Sequence, residues 1–463
     1  MSSLTEDISQ TEMQPIRFSS LVRLALPISL GFLGMMLMNT VDLICVGKIG
    51  ATEMAAVGLG GILWHVSFVI GLGLSMATEF VVSYNFGARK HTECRRALIQ
   101  GLWLVSFYSL IGTFLPIPLL NFLPTFVKDP EQSRLAQEYT SIVLLSIWPG
   151  LIYHVCRCYL QSLGRAMVVF YAMVFANVFN LVADLALILG WWGLPKWGVF
   201  GAAIATTFSR YFMALCLLAY IWYRDPRLKV LLKKHTERWP HFHRQWDFIK
   251  IGFPISMHMT FEGGMFTLVT ALSAVFGVLA SAAHQAVINI AATSFMIPLG
   301  ISSATTVLVG QSYGRKNLKD LKKSGRMGLG LGMAYMLCSC ILLLLFPKFF
   351  LGIYTHDPQV IEVGLKIIFL AAIFQISDGV QIVASGALRG IGETKVPMML
   401  NFLGYWVIGL PIAWYFAFIK NYEVTGLWMG LVAGLVTTSV LLFYYWLWKV
   451  RRFHVALSPE NLR

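Results

Sequence analysis

The sequence predicts an all-α integral membrane protein, with twelve spans arranged as two parallel six-helix bundles around a central cavity. Three observations carry that expectation: twelve long apolar runs, basic residues gathered in every second loop, and an internal repeat that divides the runs six and six. Composition agrees with them. Of 463 residues, 57% are hydrophobic and 13% charged, against about 45–50% apolar and about 25% charged in a typical soluble domain. A closed β-barrel also satisfies its backbone in lipid, but it would show short alternating segments instead of continuous apolar stretches.

A hydrocarbon core of about 30 Å needs about 20 mostly apolar residues per helix, and each run supplies them. Six lie at 24–46, 55–83, 97–119, 137–160, 168–190 and 198–222. Six more lie at 251–275, 282–309, 326–346, 362–387, 397–419 and 426–448. These runs divide the chain into an N-terminal tail at 1–20, an N-lobe at 21–222, a linker at 223–250, a C-lobe at 251–450 and a C-terminal tail at 451–463. The first twenty residues hold Glu6, Asp7 and Glu12 without an apolar stretch, so the first span is expected to direct insertion and no cleavable signal is expected.

The formal charge of +14 raises the question of a nucleic-acid partner. Its distribution answers against one. Arg89, Lys90, Arg95 and Arg96 follow the second run, and Arg224, Arg227, Lys229, Lys233, Lys234, Arg238, Arg244 and Lys250 follow the sixth. Arg315, Lys316, Lys319, Lys322, Lys323 and Arg326 follow the eighth, and Lys449, Arg451 and Arg452 the last. The alternate loops hold scattered single charges such as Lys48, Lys196 and Lys420. By the positive-inside rule both termini and the central loop are cytoplasmic, and the basicity reads as a topology and lipid-headgroup signal. The seven cysteines lie almost entirely within runs and lack zinc spacing, so they read as apolar helix residues.

Shifting the chain on itself by 227 positions brings Pro27, Ile28 and Ser29 onto Pro254, Ile255 and Ser256, Ala77 and Thr78 onto Ala304 and Thr305, and Gly87 onto Gly314. After one inserted residue, Asp129 and Pro130 match Asp357 and Pro358, Gly164 matches Gly392, and Gly198 matches Gly426. Each half has an even number of crossings, so both enter from the same face and the repeats are parallel. Two like bundles that rock about a central site, joined by a linker, form a transporter layout.

A charged group deep in the bilayer costs several kcal/mol and asks for a reason. Asp42 lies in the outer half of the first run; Asp184 lies in the fifth, with Asn180 and Asn177 one and two turns before it on the same face. Glu262 and Asp378 sit deep in the seventh and tenth. Under the repeat these acids fall on Val269, Ile412, Met35 and Gly150. The fold is duplicated and the acids are not, which marks them as functional. Desolvation disfavours a charged carboxylate, so such a group can take up a proton, and carboxylate, amide and hydroxyl oxygens are hard ligands for a small cation. Either use couples transport to an ion gradient. Arg157 and Arg210 are candidates to pair with an acid, Glu79 reads as an interfacial ion-pair partner, and His65, His154, His258 and His284 read as hydrogen-bonded packing residues. His258 stands one turn before Glu262 and, with Asn177 and Phe374, is a candidate to line a substrate cavity. Arg389-Gly390-Ile391-Gly392-Glu393-Thr394-Lys395 lacks the spacing of a phosphate loop, which argues against ATP as the energy source and against a cofactor.

Leu26-Pro27-Ile28, Asn39-Thr40-Val41-Asp42 with Gly47, Gly198-Val199-Phe200-Gly201-Ala202, Gln311-Ser312-Tyr313-Gly314-Arg315 and Leu388-Arg389-Gly390-Ile391-Gly392 together resemble the MATE (multidrug and toxic compound extrusion) family, in its bacterial NorM-like branch, over roughly 17–450. The resemblance implies inner-membrane export of small organic, often cationic compounds in exchange for H⁺ or Na⁺. It also implies that Asp42, Asn180, Asp184 and Thr206 form an N-lobe cation or proton cluster and that Glu262 and Asp378 are the C-lobe acids. Phe374 departs from the pattern, standing where a tyrosine hydroxyl is common. Two rivals remain: a lipid or polysaccharide flippase of the related superfamily, and an integral membrane transferase, which would need its acids at the interface. Lipids are the surrounding partner, and a monomer is expected.

Overall fold

The computed structural model describes residues 16–127, 129–193 and 195–456, so the expected tails lie largely outside it. Twelve helices are long and apolar enough to cross a membrane. In chain order they are α1 (Phe18–Gly47), α2 (Ala51–Gly87), α3 (His91–Leu120), α4 (Pro130–Ser162), α5 (Ala166–Leu187) and α6 (Gly198–Arg224). The second six are α7 (Phe242–Phe276), α8 (Val278–Gly314), α9 (Leu318–Leu345), α10 (Pro358–Arg389), α11 (Lys395–Ile419) and α12 (Glu423–Arg452). Each apolar run falls on one helix. Large apolar side chains such as Ile111 and Phe175 are about three-fifths exposed, as lipid-facing residues must be.

The repeat is visible in local geometry. Asp129 and Asp357 cap α4 and α10 from repeat-related positions, accepting from the amides of Glu131 at 3.0 Å and Gln359 at 2.9 Å, and each is followed by a proline whose missing N–H costs nothing in a first turn. Gly164 and Gly392, one in each half, both turn the chain with φ near +77°, a left-handed conformation that glycine adopts without a Cβ clash.

The chain divides into two compact units. One holds Leu30–Ser256; the other holds Met257 onward together with the described residues up to Ser29. The opening of α1 therefore belongs to the second unit and the opening of α7 to the first. Repeat-related contacts hold each in place: the Ser29 hydroxyl donates to the Ile297 carbonyl at 3.0 Å, and the Ser256 hydroxyl to the Ile70 carbonyl at 2.6 Å. Both approaches need a glycine. A Cβ on Gly300 would run into Ser29, and one on Gly73 into the Ser256 backbone.

In this division the stretch expected as a linker, 223–250, falls with the first unit. Arg95 Nε donates to both oxygens of Asp225, at 3.0 and 2.8 Å, and the Tyr159 hydroxyl adds a third bond at 3.3 Å. Arg96 pairs with Glu237 and Glu93, and Arg244 with Glu93. The Gln100 side chain donates to the Trp239 carbonyl and accepts from the His241 amide. Loop charge that reads as a topology signal is thus also a docking surface for acids on α3 and in the loop itself. The Arg95–Asp225 side chains are only 6% and 5% exposed. Removing one partner of such a pair leaves a buried unpaired charge and costs about 3–5 kcal/mol. Asp225→Ala should accordingly lower the thermal unfolding midpoint of the purified protein by several degrees, and an unchanged midpoint would show that the pair contributes little.

Candidate functional site

In the first unit, four expected residues converge from three helices. Asp42 comes from the far end of α1, Asn180 and Asp184 from successive turns of α5, and Thr206 from two turns into α6. All four are nearly inaccessible, with Asp184 at 0% exposure. The Thr206 hydroxyl donates to Asp42 Oδ2 at 2.7 Å. The Asp42 and Asp184 carboxyl groups are close enough for the charge of one to act on the other. No donor among the described residues reaches Asp42 Oδ1, either Asp184 oxygen or Asn180 Oδ1, and the Asn180 Nδ2 finds no acceptor among them. Buried polar atoms are nearly always satisfied, and an ionised carboxylate can only accept. Facing carboxyl groups therefore answer each other when one carries a proton, or when a cation sits among the oxygens.

Beside the cluster opens a cavity of about 220 Å³ whose wall includes Asn39, Asp42, Trp64, Tyr139, Thr206 and Arg210. Arg210, one turn beyond Thr206 on α6, lays its guanidinium over the Trp64 ring with 3.7 Å to the centroid, and its Nη1 donates to the Ser146 hydroxyl. Neither Arg157 nor Arg210, candidates to pair with an acid, forms an ion pair among the described residues, although the charge of Asp42 acts on Arg210. Arg157 lies over Phe32 at 4.5 Å, so an aromatic face, electron-rich at its centre, answers each cation. His154 is buried with neither ring nitrogen hydrogen-bonded to a described residue, packed instead against Phe68 and Tyr153. Glu79 is buried at 1% exposure.

The second unit holds a separate acid centre. Glu262 of α7 accepts from Gln381 Nε2 of α10 at 2.8 Å, and Gln381 Oε1 in turn accepts from the Tyr405 hydroxyl of α11 at 3.2 Å. Asp378 stands one turn before Gln381 on α10 and is buried. His258 Nε2 lies 3.7 Å from Glu262 Oε2 and 3.5 Å from the Asn401 amide. Tyr405 is inside a π-helical stretch, Leu403–Gly409, a local widening frequent at functional sites. Here it lies next to Gly404 and Gly409, whose backbones touch α12, and Tyr405 itself is fully buried.

Of the three residues expected to line a substrate cavity, none is on the wall of the first unit's cavity. Asn177 is half-buried and donates to the Met173 carbonyl of its own helix. Phe374 packs edge-on between Phe266 and Trp428 in the core of the second unit. His258 belongs to the Glu262 centre. Sequence reasoning missed Trp64, Tyr139, Gln381 and Tyr405 as site residues. Only Gln381 carried a signal, standing one turn from Asp378.

A MatE family model matches residues 27–185 and 254–415, one match in each half of the repeat. The chain is 32% identical over 453 residues to a probable multidrug resistance protein NorM of Rhizobium meliloti, covering 96% of both chains. It is 31% identical over 438 residues to the corresponding protein of Pseudomonas putida, covering 94% of this chain and 95% of that one. Among solved structures, a MATE in its bent conformation superposes with a TM-score of 0.86 at 21% identity, over 94% of this chain and 96% of that one. A eukaryotic MATE transporter does so with a TM-score of 0.84 at 17% identity, over 95% and 98%.

Proposed function

The chain belongs to the MatE family, and we propose that it is a secondary active multidrug efflux transporter that exchanges organic, often cationic compounds for protons taken up at the Asp42–Asp184 pair. Relatives along the whole length carry the name multidrug resistance protein, which supports the efflux reading. Proton coupling is supported by one observation above the rest: two buried carboxyl groups act on each other, and three of their four oxygens have no donor among the described residues. Like charges that close cannot both stay ionised without a compensating cation, so the pair alternates between holding and releasing a proton. Thr206 spends its hydrogen on Asp42, and the fixed positive charge of Arg210 in the same cavity wall disfavours a second cation there. Phe374 removes a hydroxyl ligand from the second unit's acids. Sodium, bound by Asp42, Asn180, Asp184 and Thr206, is the competing use of the same oxygens.

The test is ethidium efflux from proteoliposomes given a pH gradient in Na⁺-free buffer. Efflux persisting there supports protons; efflux appearing only with added Na⁺ overturns the assignment. By linkage, a driving ion must compete with the exported compound or favour the opposite-facing state, so acidifying the face that supplies protons should weaken ethidium binding at that face.

The same reading makes the protein a monomer in the inner membrane with both termini cytoplasmic and no cofactor. Basic residues in alternate loops support the orientation. A cysteine replacing Asp320 in a cysteine-free variant should resist an impermeant maleimide in intact cells, and one replacing Lys196 should react. The reverse pattern refutes the orientation.

A further inference from the structure

α6 runs for 27 residues from Gly198 to Arg224, about 40 Å of helix against a hydrocarbon core of about 30 Å, so its terminal turns reach the headgroups. Trp222 and Tyr223 in the last turn are 47% and 76% exposed. Just beyond them Asp225 is pinned by Arg95 and Tyr159, and a short helix, Pro226–Lys233, follows at once. Leu228 and Leu231 bury one face of it in the apolar core of the first unit. Arg227 and Val230, one turn apart, are exposed on the other face, as are Lys233 and Lys234 at its end.

The cations of this region fall into two groups. Arg95, Arg96 and Arg244 turn towards acids. Arg227, Lys229, Lys233 and Lys234 form no ion pair with a carboxylate among the described residues. Lys229 is nevertheless held in place: its Nζ lies over the rings of Trp222 and Tyr223, 4.9 and 5.8 Å from their centroids, where electron-rich faces attract an ammonium. Four positive charges without a carboxylate, set beside two exposed rings and an exposed valine, suit one kind of neighbour. A lipid phosphate answers the charges, and the glycerol and acyl region next to it covers the rings, which is where tryptophan and tyrosine collect in membrane proteins. An acidic peptide or a nucleic acid would answer the charges and leave the apolar surface in water.

We propose that the end of α6 and the Pro226–Lys233 helix form a binding site for an anionic phospholipid of the adjoining leaflet. Its phosphate sits on Lys229, and Arg227, Lys233 and Lys234 supply the field that selects a charged headgroup over a zwitterionic one. The site is separate from the buried acids and does not depend on which ion they exchange. Because the helix that carries it is packed into the first unit through Leu228 and Leu231, a lipid bound to the folded protein stabilises that packing.

Native mass spectrometry of the full-length protein in detergent, titrated with phosphatidylglycerol or phosphatidylcholine, gives a Kd for the first molecule of each lipid bound. Phosphatidylglycerol should bind about tenfold more tightly or better. Lys229→Gln should weaken phosphatidylglycerol by about fivefold and leave phosphatidylcholine unmoved. Trp222→Leu combined with Tyr223→Leu keeps every charge and should weaken phosphatidylglycerol as well, because Lys229 loses the rings that place it. Equal Kd values for the two lipids in wild-type protein overturn the proposal, and so does phosphatidylglycerol binding that survives Lys229→Gln. A loss in Lys229→Gln with none in the ring variant also overturns it, marking diffuse attraction to a basic loop in place of a built site. Displacement by inorganic phosphate or by a short oligonucleotide, neither of which should compete, overturns the lipid assignment. If the variants fail to fold, wild-type protein still decides: phosphatidylglycerol added to the micelles should raise the thermal unfolding midpoint and phosphatidylcholine should not. No rise, or an equal rise with both, refutes the site.

Discussion

Asp184→Asn should abolish proton-driven ethidium efflux, lowering its rate by roughly 100-fold, while the protein still inserts and folds. The magnitude follows from what the substitution removes: a proton-bridged hydrogen bond between acids is charge-assisted, about 1.5–3 kcal/mol, and each 1.36 kcal/mol is about tenfold in rate. Asparagine keeps the shape, and its amide donates permanently to Asp42, imitating the protonated pair. The variant should hold one protonation state whatever the pH. Asp42→Asn should be equally severe, although the Thr206 hydroxyl, which donates to Asp42 Oδ2 at 2.7 Å, would still find an amide oxygen to accept its hydrogen. Thr206→Val removes only that donor, and its effect should be about tenfold or less. Dye efflux against an imposed pH gradient measures all three. Normal transport by both Asp variants would leave the family assignment intact and remove the coupling site from this pair.

The parts of this site that were legible in the sequence are those that one helix displays alone. Asn180 and Asp184 are a turn apart, and helical periodicity is enough to put them on one face. Depth within an apolar run identifies Asp42, Glu262 and Asp378 as costly, and their failure to recur in the repeat is what makes them candidates for function. What could not be read is which helices meet. Asp42 and Thr206 are separated by 164 residues, Glu262 and Gln381 by 119, and only packing brings them into contact. The surroundings of the two arginines are hidden for a related reason. Arg157 and Arg210 invited an ionic partner, whereas aromatic faces on neighbouring helices took that role, and a run rich in Phe and Trp does not say which ring faces inward. The contacts of the 223–250 stretch are hidden in the sequence because its basic residues have two sufficient explanations, topology and pairing, and Asp225, Glu93 and Glu237 supply the second without disturbing the first.

Glu262→Gln should reduce coupled efflux by about 100-fold, and Gln381→Leu by about tenfold. The order reflects position in the chain of hydrogen bonds. Tyr405 donates to Gln381 Oε1, which orients the amide so that its nitrogen donates to Glu262 at 2.8 Å. Glutamine at 262 keeps an oxygen for that donor and loses the ionisable group, so packing survives and charge exchange does not. Leucine at 381 keeps the ionisable group and strips its donor, leaving a buried carboxyl less well satisfied, a penalty of about 1–3 kcal/mol. Since Gln381 serves transport through Glu262, the two losses should not add: the double variant should be no worse than Glu262→Gln alone, a coupling that double-mutant cycles resolve between contacting residues. Tyr405→Phe should follow the same logic one bond further out, with a loss of about threefold that vanishes in the Glu262→Gln background. Losses that multiply would mean that Gln381 acts on its own, most directly through Asp378 one turn away, and the second unit's acids would then be two sites in place of one.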